Sequence, residues 1–167
     1  MVEINELYQE LVLAHGNSPS NFHEMTDATR TAEGFNPFCG DQLTLYLKIA
    51  NEQIEEATFT GKGCAISKAS ASLMTEAVTS RTIVDARKTF TAFHKMITRG
   101  PEEYESNGLG DLEVLAGVTQ FPTRIKCAIL SWRTLESALK DENETTLKKF
   151  FREGDRVRLQ PMNSRLK

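Results

Sequence analysis

Three cysteines and one aspartate are the residues of this sequence whose types and spacing best suit chemistry. The cysteines stand in residues 36–41, 61–64 and 124–127, and each segment resembles a loop that gives way to a regular element. Three thiolates and one carboxylate oxygen make four donors, the number that a tetrahedral zinc ion takes, and an odd number of cysteines cannot all close into intrachain disulfides. The sequence therefore predicts a protein that handles metal or sulfur. The candidate ligands are Cys39, Asp41, Cys64 and Cys127.

Composition indicates an ordinary globular chain around these donors. With 167 residues, of which 40% are hydrophobic and 26% charged, the chain is expected to form one domain with a substantial core. Residues 1–7 carry two acids and no apolar run, and no segment approaches the ~20 apolar residues of a membrane helix, so we expect a cytoplasmic protein without a membrane partner. A net charge of −3 disfavours nucleic acid as a partner.

Two paired strands are predicted to carry the first two cysteines. Apolar and polar side chains alternate over residues 43–49, which is the period of a strand with one buried face. Residues 51–53 indicate a turn, and residues 54–60 supply an antiparallel partner. Because the start of one strand and the end of the other meet at one edge of the sheet, Cys39 and Cys64 are expected to lie close together.

Helices are predicted for most of the remaining chain because apolar residues recur at spacings of three and four. The first is expected to bury a face that includes Leu7 and Tyr8. Cys64 would precede the second helix and Cys127 would lie in the first turn of the last, where the helix dipole stabilises a thiolate. The predicted helices span residues 4–15, 65–78, 83–97, 111–118 and 125–139, and a short strand is predicted at 29–32.

Together these elements predict an α+β fold, in which a small antiparallel sheet of about three strands has several helices packed on one face. Simpler interpretations exist for each candidate ligand. A free cysteine often serves as a small buried hydrophobe, and a Gly-Asp pair such as the one ending at Asp41 is a common turn former. None of the three histidines has the spacing of a metal motif.

Three long segments resemble the SufU-type branch of the IscU-like (NifU N-terminal-like) iron–sulfur cluster assembly proteins. The resemblance extends over residues 6–139 and is carried by residues 36–41, 61–72 and 121–128. IscU-type scaffolds have a histidine immediately before the last cysteine and a Leu-Pro-Pro-Val-Lys chaperone-binding motif just before it. Here Lys126 replaces the histidine and the motif is missing, two departures that the SufU-type branch shares.

The resemblance implies an IscU/SufU-like domain over residues 1–140, with zinc bound by Cys39, Asp41, Cys64 and Cys127. It also implies that Cys39 accepts persulfide sulfur from a SufS-type, pyridoxal-phosphate-dependent cysteine desulfurase, for delivery to a SufBCD-type assembly complex. Iron, or a transient iron–sulfur cluster, is the alternative occupant of the same donors.

Three hypotheses follow for the function: a zinc-dependent sulfurtransferase, a scaffold on which a cluster is assembled, or a structural zinc site that supports an interaction module. The cations beside the proposed ligands are expected to offset the charge of the thiolates, although ordinary solvation or an acidic partner explains them equally well. They are Lys62, Arg124 and Lys126. Residues 141–167 form an extension whose basic end is expected to be mobile.

Overall fold

A computed structural model describes residues 2–99 and 109–140, with side chains from residue 6 onward. The predicted basic extension at residues 141–167 falls outside this part of the chain.

Four antiparallel strands form one sheet in sequence order. The alternation predicted for the second strand is confirmed, since Leu43, Leu45 and Leu47 are all buried. Its hairpin with the third strand closes through Asn51 and Glu52, whose φ values of 54° and 62° match a type I′ turn. The strands are β1 (Arg30–Asn36), β2 (Asp41–Ala50), β3 (Gln53–Lys62) and β4 (Arg81–Thr82).

Two details of the sheet differ from the sequence prediction. The strand predicted at residues 29–32 continues to Asn36, because it pairs with β2 along its whole length. A fourth strand of two residues is added at the edge of β3, where Gln53 and Ile54 pair with Arg81 and Thr82.

The predicted α-helices are present: α1 precedes the sheet, and β4 lies between α2 and α3. The segment predicted as a short helix at 111–118 is instead a 3₁₀ helix, Gly110–Gln120, whose ends close through bonds between residues three apart. A second 3₁₀ turn, Pro122–Arg124, follows it. The α-helices are α1 (Val2–Asn17), α2 (Ala65–Val78), α3 (Ile83–Arg99) and α4 (Ile125–Leu139).

The buried face of α1 is narrower than predicted. Tyr8 and Val12 are buried, whereas Leu7 is 52% exposed. Adjacent residues on a helix point about 100° apart, so a face centred on Tyr8 and Val12 leaves Leu7 at its margin. The prediction that Leu7 packs was therefore wrong. None of the helices in residues 2–99 and 109–140 combines the length and apolar character needed to cross a membrane.

The packing of α2 against α4 fixes the relative positions of the last two cysteines. Ser70 on α2 is fully buried, and its hydroxyl donates to the carbonyl of Ala128 at 2.6 Å. The same hydroxyl accepts from the indole N–H of Trp132 at 3.2 Å. The Trp132 ring in turn stacks on Phe93 of α3 with centroids 4.7 Å apart. A satisfied buried network of this kind holds one arrangement of the helices, and with it the start of α4 beside the start of α2.

Candidate metal centre

Cys39 stands at the tip of the β1–β2 hairpin. The last pair of the ladder joins Asn36 to Asp41, so residues 37–40 form the connecting loop. The N–H of Gly40 donates to the carbonyl of Asn36 at 2.8 Å, and Gly40 has a φ of +73°, which glycine adopts without a steric cost. The loop therefore presents Cys39 to solvent, while Asp41 begins the strand.

The other two cysteines stand at helix starts, as predicted. Cys64 is the N-cap residue of α2, and its sulfur accepts from the backbone N–H of Ser67 at 3.4 Å. Cys127 lies in the first turn of α4 and is 1% exposed. The register of β2 with β3 pairs Gln42 with Lys62, which brings the start of one strand beside the end of the other. The expected meeting of Cys39 and Cys64 at one edge of the sheet is therefore found.

The four candidate ligands converge. The sulfur of Cys39 lies 3.1 Å from Oδ2 of Asp41 and 3.3 Å from the sulfur of Cys127. The sulfur of Cys64 lies 3.8 Å from the same Oδ2 atom. Donor atoms of Cys39, Asp41 and Cys127 all lie within 4.8 Å of one another, and Cys64 joins this group through Asp41.

The separations of these atoms suit a small tetrahedral cation. Zn–S and Zn–O bonds of about 2.3 and 2.0 Å place tetrahedral ligand atoms roughly 3.5–3.8 Å apart. The three separations given above, 3.1–3.8 Å, are close to those values. The sulfur of Cys64 lies outside the group whose atoms are all within 4.8 Å of one another, so it must move closer to complete a tetrahedral site. Three sulfurs and one carboxylate oxygen are a donor set that zinc accepts, and the residues present fit a zinc ion by their chemistry.

Asp41 divides its two carboxylate oxygens between two tasks. Oδ1 accepts the backbone N–H of Cys64 at 2.9 Å, while Oδ2 is the atom nearest the sulfurs of Cys39 and Cys64. Asp41 is fully buried, and it belongs to the same face of β2 as Leu43 and Leu45. A buried carboxylate is costly unless it is paired, so this position is better explained by a ligand than by a turn former.

Gly63 leaves the space that the Asp41 carboxylate occupies. A Cβ atom at Gly63 would lie 2.5 Å from Oδ1 and 2.9 Å from the carboxyl carbon of Asp41. Both distances are shorter than van der Waals contact, and overpacking of this kind forces neighbouring groups to shift.

Replacing Gly63 with alanine is therefore expected to displace Asp41 and weaken zinc binding by about 10–100-fold, the usual cost of disturbing a group that orients a ligand. Competition with a chromogenic chelator measures the affinity. Glu55→Ala is the control, since it changes an exposed side chain of β3, the strand that leads to Gly63. An unchanged zinc affinity in Gly63→Ala would contradict the role of Asp41.

Asn36 is a site residue whose role the sequence analysis missed. Its side-chain carbonyl accepts the N–H of Phe38 at 3.1 Å, which fixes the orientation of the amide. The amide nitrogen then donates to the sulfur of Cys39 at 3.0 Å. Asn36 is 5% exposed, so the amide that makes both bonds is itself buried. An asparagine at the start of a hairpin loop, followed by a glycine, is the available signal for such an Asx turn.

Burial opposes ionisation of the most enclosed thiol, that of Cys127. The pKa of Cys127 is raised, first by burial and then by its hydrogen bond with Cys39 and the charge of Cys64. The pKa of Tyr8 is also raised, by burial first and next by Cys64, so the phenol of Tyr8 lies within electrostatic reach of the centre. Among the described residues its hydroxyl has no hydrogen-bond partner. A cation at the centre would supply the positive charge that thiolates need here.

The three predicted cations have different surroundings. Arg124 interacts with the thiols: its pKa is raised, first by a hydrogen bond with Cys127 and then by the charge of Cys64. Lys126 instead places its ammonium 4.4 Å from the centre of the Phe38 ring. Lys62 ends β3 and lines an open depression with Glu33 and Thr44. Arg124 is the cation best placed to offset thiolate charge.

The thiols differ in their access to solvent. Cys39 is exposed, Cys64 is partly exposed and Cys127 is buried. A cavity of about 530 Å³ opens at Cys39 and Cys127, and its wall includes Arg124 and Lys126. A reagent or a partner side chain thus reaches Cys39 first.

Comparison with known proteins identifies relatives that cover most of the chain. The family described as "NifU-like N terminal domain" matches residues 7–128. The zinc-dependent sulfurtransferase SufU of Bacillus subtilis is 40% identical over 139 residues, covering 83% of this chain and 93% of SufU. The iron–sulfur cluster assembly scaffold protein IscU of Streptococcus pyogenes is 38% identical over 138 residues, covering 83% of this chain and 86% of IscU.

Solved structures show the same fold. A putative iron–sulfur cluster assembly scaffold protein for the SUF system from Fervidobacterium islandicum matches with a TM-score of 0.76 at 32% identity, covering 81% of this chain and 98% of that one. A nitrogen-fixing NifU-like protein (N-terminal) from Brucella abortus matches with a TM-score of 0.74 at 20% identity, covering 84% and 97% of the two chains, and supports the fold alone. The predicted α+β architecture and the predicted resemblance are both confirmed.

Proposed function

This chain belongs to the family of the NifU-like N-terminal domain, and from that premise we propose that it is a zinc-dependent sulfurtransferase of iron–sulfur cluster biogenesis. The observation that carries the proposal is the presence of one exposed thiol, Cys39, in a cluster whose other members are partly or fully buried. A reactive cysteine must be reachable, whereas an anchoring ligand is best protected.

The proposed zinc ligands are Cys39, Asp41, Cys64 and Cys127. Bound zinc would hold the three sulfurs as thiolates in an environment where burial otherwise favours the neutral thiol. Cys64 and Cys127 are the anchors, because they are built into the starts of α2 and α4. Cys39 is the exchangeable member, because its loop is in contact with solvent and contains Gly40.

Sulfur transfer to Cys39 needs no external oxidant or reductant. The thiolate of Cys39 is first released from the donor cluster, by which we mean the four metal ligands Cys39, Asp41, Cys64 and Cys127. It then attacks the outer sulfur of a cysteine persulfide on the desulfurase. The S–S bond of that persulfide breaks, its cysteine leaves as a thiolate, and Cys39 becomes the persulfide. The donor is a SufS-type cysteine desulfurase, and a SufBCD-type assembly complex is the recipient.

A scaffold on which a cluster is assembled is the second candidate, since the same thiols suit iron and relatives at 38% identity bear that description. The donor set described above contains no histidine. Of the histidines, His15 is hydrogen-bonded to the hydroxyl of Ser72 at 2.7 Å, and His94 lies edge-to-face against Phe90 of α3. A donor set of three sulfurs and one oxygen suits zinc. Because it lacks histidine, it differs from the histidine-containing site of the IscU-type scaffolds, and this difference favours the sulfurtransferase.

One experiment separates these candidates. The zinc-loaded protein is added to a SufS-type desulfurase, and cysteine turnover is measured before and after iron is supplied. The sulfurtransferase proposal expects turnover to increase with protein concentration in the absence of iron, with one sulfur atom added to the protein. An unchanged turnover rate, together with a transferable cluster that forms when iron is added, would favour the scaffold.

A further inference from the structure

Phe38 is the most exposed of the large hydrophobic residues described, and a cation covers its ring. Its side chain is 81% exposed, and the ammonium of Lys126 lies 4.4 Å from the ring centre. A lysine at this distance from an aromatic face is attracted by the ring quadrupole. The contact therefore gives the exposed ring of Phe38 a partner on the surface.

The two partners flank the two sulfurs that lie closest to each other. Phe38 immediately precedes Cys39, and Lys126 immediately precedes Cys127. The sulfurs of Cys39 and Cys127 are 3.3 Å apart. The contact of Phe38 with Lys126 therefore joins the hairpin loop to the start of α4 at the point where Cys39 meets its neighbour.

The loop at residues 37–40 is held by a buried side chain on one side and has open space beside Gly40. Asn36 holds it through its bonds to Phe38 and Cys39, which are made by a buried side-chain amide. Gly40 has no heavy atom within 4 Å of the position where a side chain would begin. No packed side chain at Gly40 therefore opposes a movement of the loop there, and a movement that carries Phe38 outward with Cys39 would separate its ring from Lys126.

We propose that Phe38 and Lys126 are positioning residues that form a clasp over Cys39, and that opening of this clasp controls how often Cys39 leaves the donor cluster. The proposal rests on the function proposed above, since it concerns the release of the same acceptor thiol. A partner that binds the ring of Phe38, or pairs with the ammonium of Lys126, would open the clasp and expose the thiol. An exposed contact of this type is expected to change the open population by about two- to fivefold.

The test measures the reactivity of Cys39 directly, without a desulfurase. Zinc-loaded protein is treated with iodoacetamide, a neutral probe, and peptide mass spectrometry follows each cysteine with time. The variants are Phe38→Leu, Lys126→Met and the double variant, compared at equal zinc occupancy. Lys126→Arg retains the cation, and Lys62→Met is the matched control because Lys62 is a nearby cation that does not cover the ring.

We expect Cys39 to be alkylated about two to five times faster in each single variant, and no faster in the double variant than in either single one. Lys126→Arg is expected to keep the wild-type rate, Lys62→Met to react no faster than the wild type, and Cys64 to keep its own rate throughout. Loss of positive charge would by itself slow Cys39 and not accelerate it, because cations favour the anionic form of a thiol. The expected increase therefore distinguishes the clasp from simple electrostatics.

Three results would overturn the clasp: wild-type rates in both single variants, effects that multiply in the double variant, or an equal effect in Lys62→Met. None of these results bears on whether the protein accepts sulfur. Conversely, a desulfurase that fails to respond to this protein would leave the alkylation rates of Cys39 unchanged. Failure of the clasp and failure of the proposed function are therefore distinguishable.

Discussion

Replacing Cys39 with alanine is expected to return a SufS-type desulfurase to the rate it has without this protein. Cys39 is the exposed thiol of the donor cluster, while Cys127 is 1% exposed. Because only a reachable thiolate attacks a persulfide, the loss of this side chain removes the proposed acceptor. Turnover assays with increasing amounts of wild-type protein and variant measure the effect, and mass spectrometry detects the added sulfur.

Cys39→Ser supplies the matched control for that experiment. Serine keeps the size of the side chain and an oxygen atom beside the metal, but it cannot carry a persulfide. Stimulation is therefore expected to be lost, whereas the fold and much of the bound zinc are retained. Full stimulation by either variant, or transfer of the sulfur to Cys64 in the wild type, would contradict the assignment of Cys39 as acceptor.

Replacing Cys127 with alanine is expected to abolish stabilisation of the fold by zinc. Cys127 is buried at the start of α4, and its sulfur lies 3.3 Å from that of Cys39. Zinc present at 1,000 times its dissociation constant contributes about 4 kcal/mol to the free energy of unfolding, which corresponds to roughly 8–16 °C in Tm for a protein of this size. Thermal unfolding with and without a chelator measures this contribution.

The chelator separates the metal from the packing of the side chain. Wild-type protein is expected to lose most of its zinc-dependent stability when chelator is added, whereas Cys127→Ala is expected to unfold at one temperature in both conditions. Without metal, the two proteins should differ by only about 1 kcal/mol, because a small buried side chain is shortened. A variant that still responds to the chelator by several degrees would show that Cys127 is not a ligand.

Much of the centre could be predicted because short-range patterns determine it. The alternation of apolar and polar side chains identifies the buried face of β2. Counting back two residues from Leu43 reaches Asp41, which therefore lies on the same buried face. The turn at Asn51 and Glu52 then fixes the register of β3, which brings Cys64 beside Asp41. The meeting of these two residues follows from local rules.

The remaining features depend on how distant elements pack. The contact between Phe38 and Lys126 joins the hairpin to α4, and no local pattern specifies the position of that helix. Gly34 illustrates the difficulty. From the sequence alone, a glycine in a strand indicates a weak point of that strand. In the structure, a side chain at Gly34 would collide with Thr134, so the glycine allows α4 to approach β1 closely. Apolar spacing also fails to separate a 3₁₀ helix from an α-helix, as in Gly110–Gln120.

X-ray absorption at the zinc edge of the purified protein tests the central claim most directly, because it reports the atoms bound to the metal. The account predicts one zinc ion per chain with three sulfur neighbours at about 2.3 Å and one oxygen neighbour at about 2.0–2.2 Å. Asp41→Ala should change the oxygen shell and leave the three sulfurs in place. A zinc ion surrounded by oxygen and nitrogen, or bound by fewer than two sulfurs, would contradict the convergence of Cys39, Asp41, Cys64 and Cys127 on one cation.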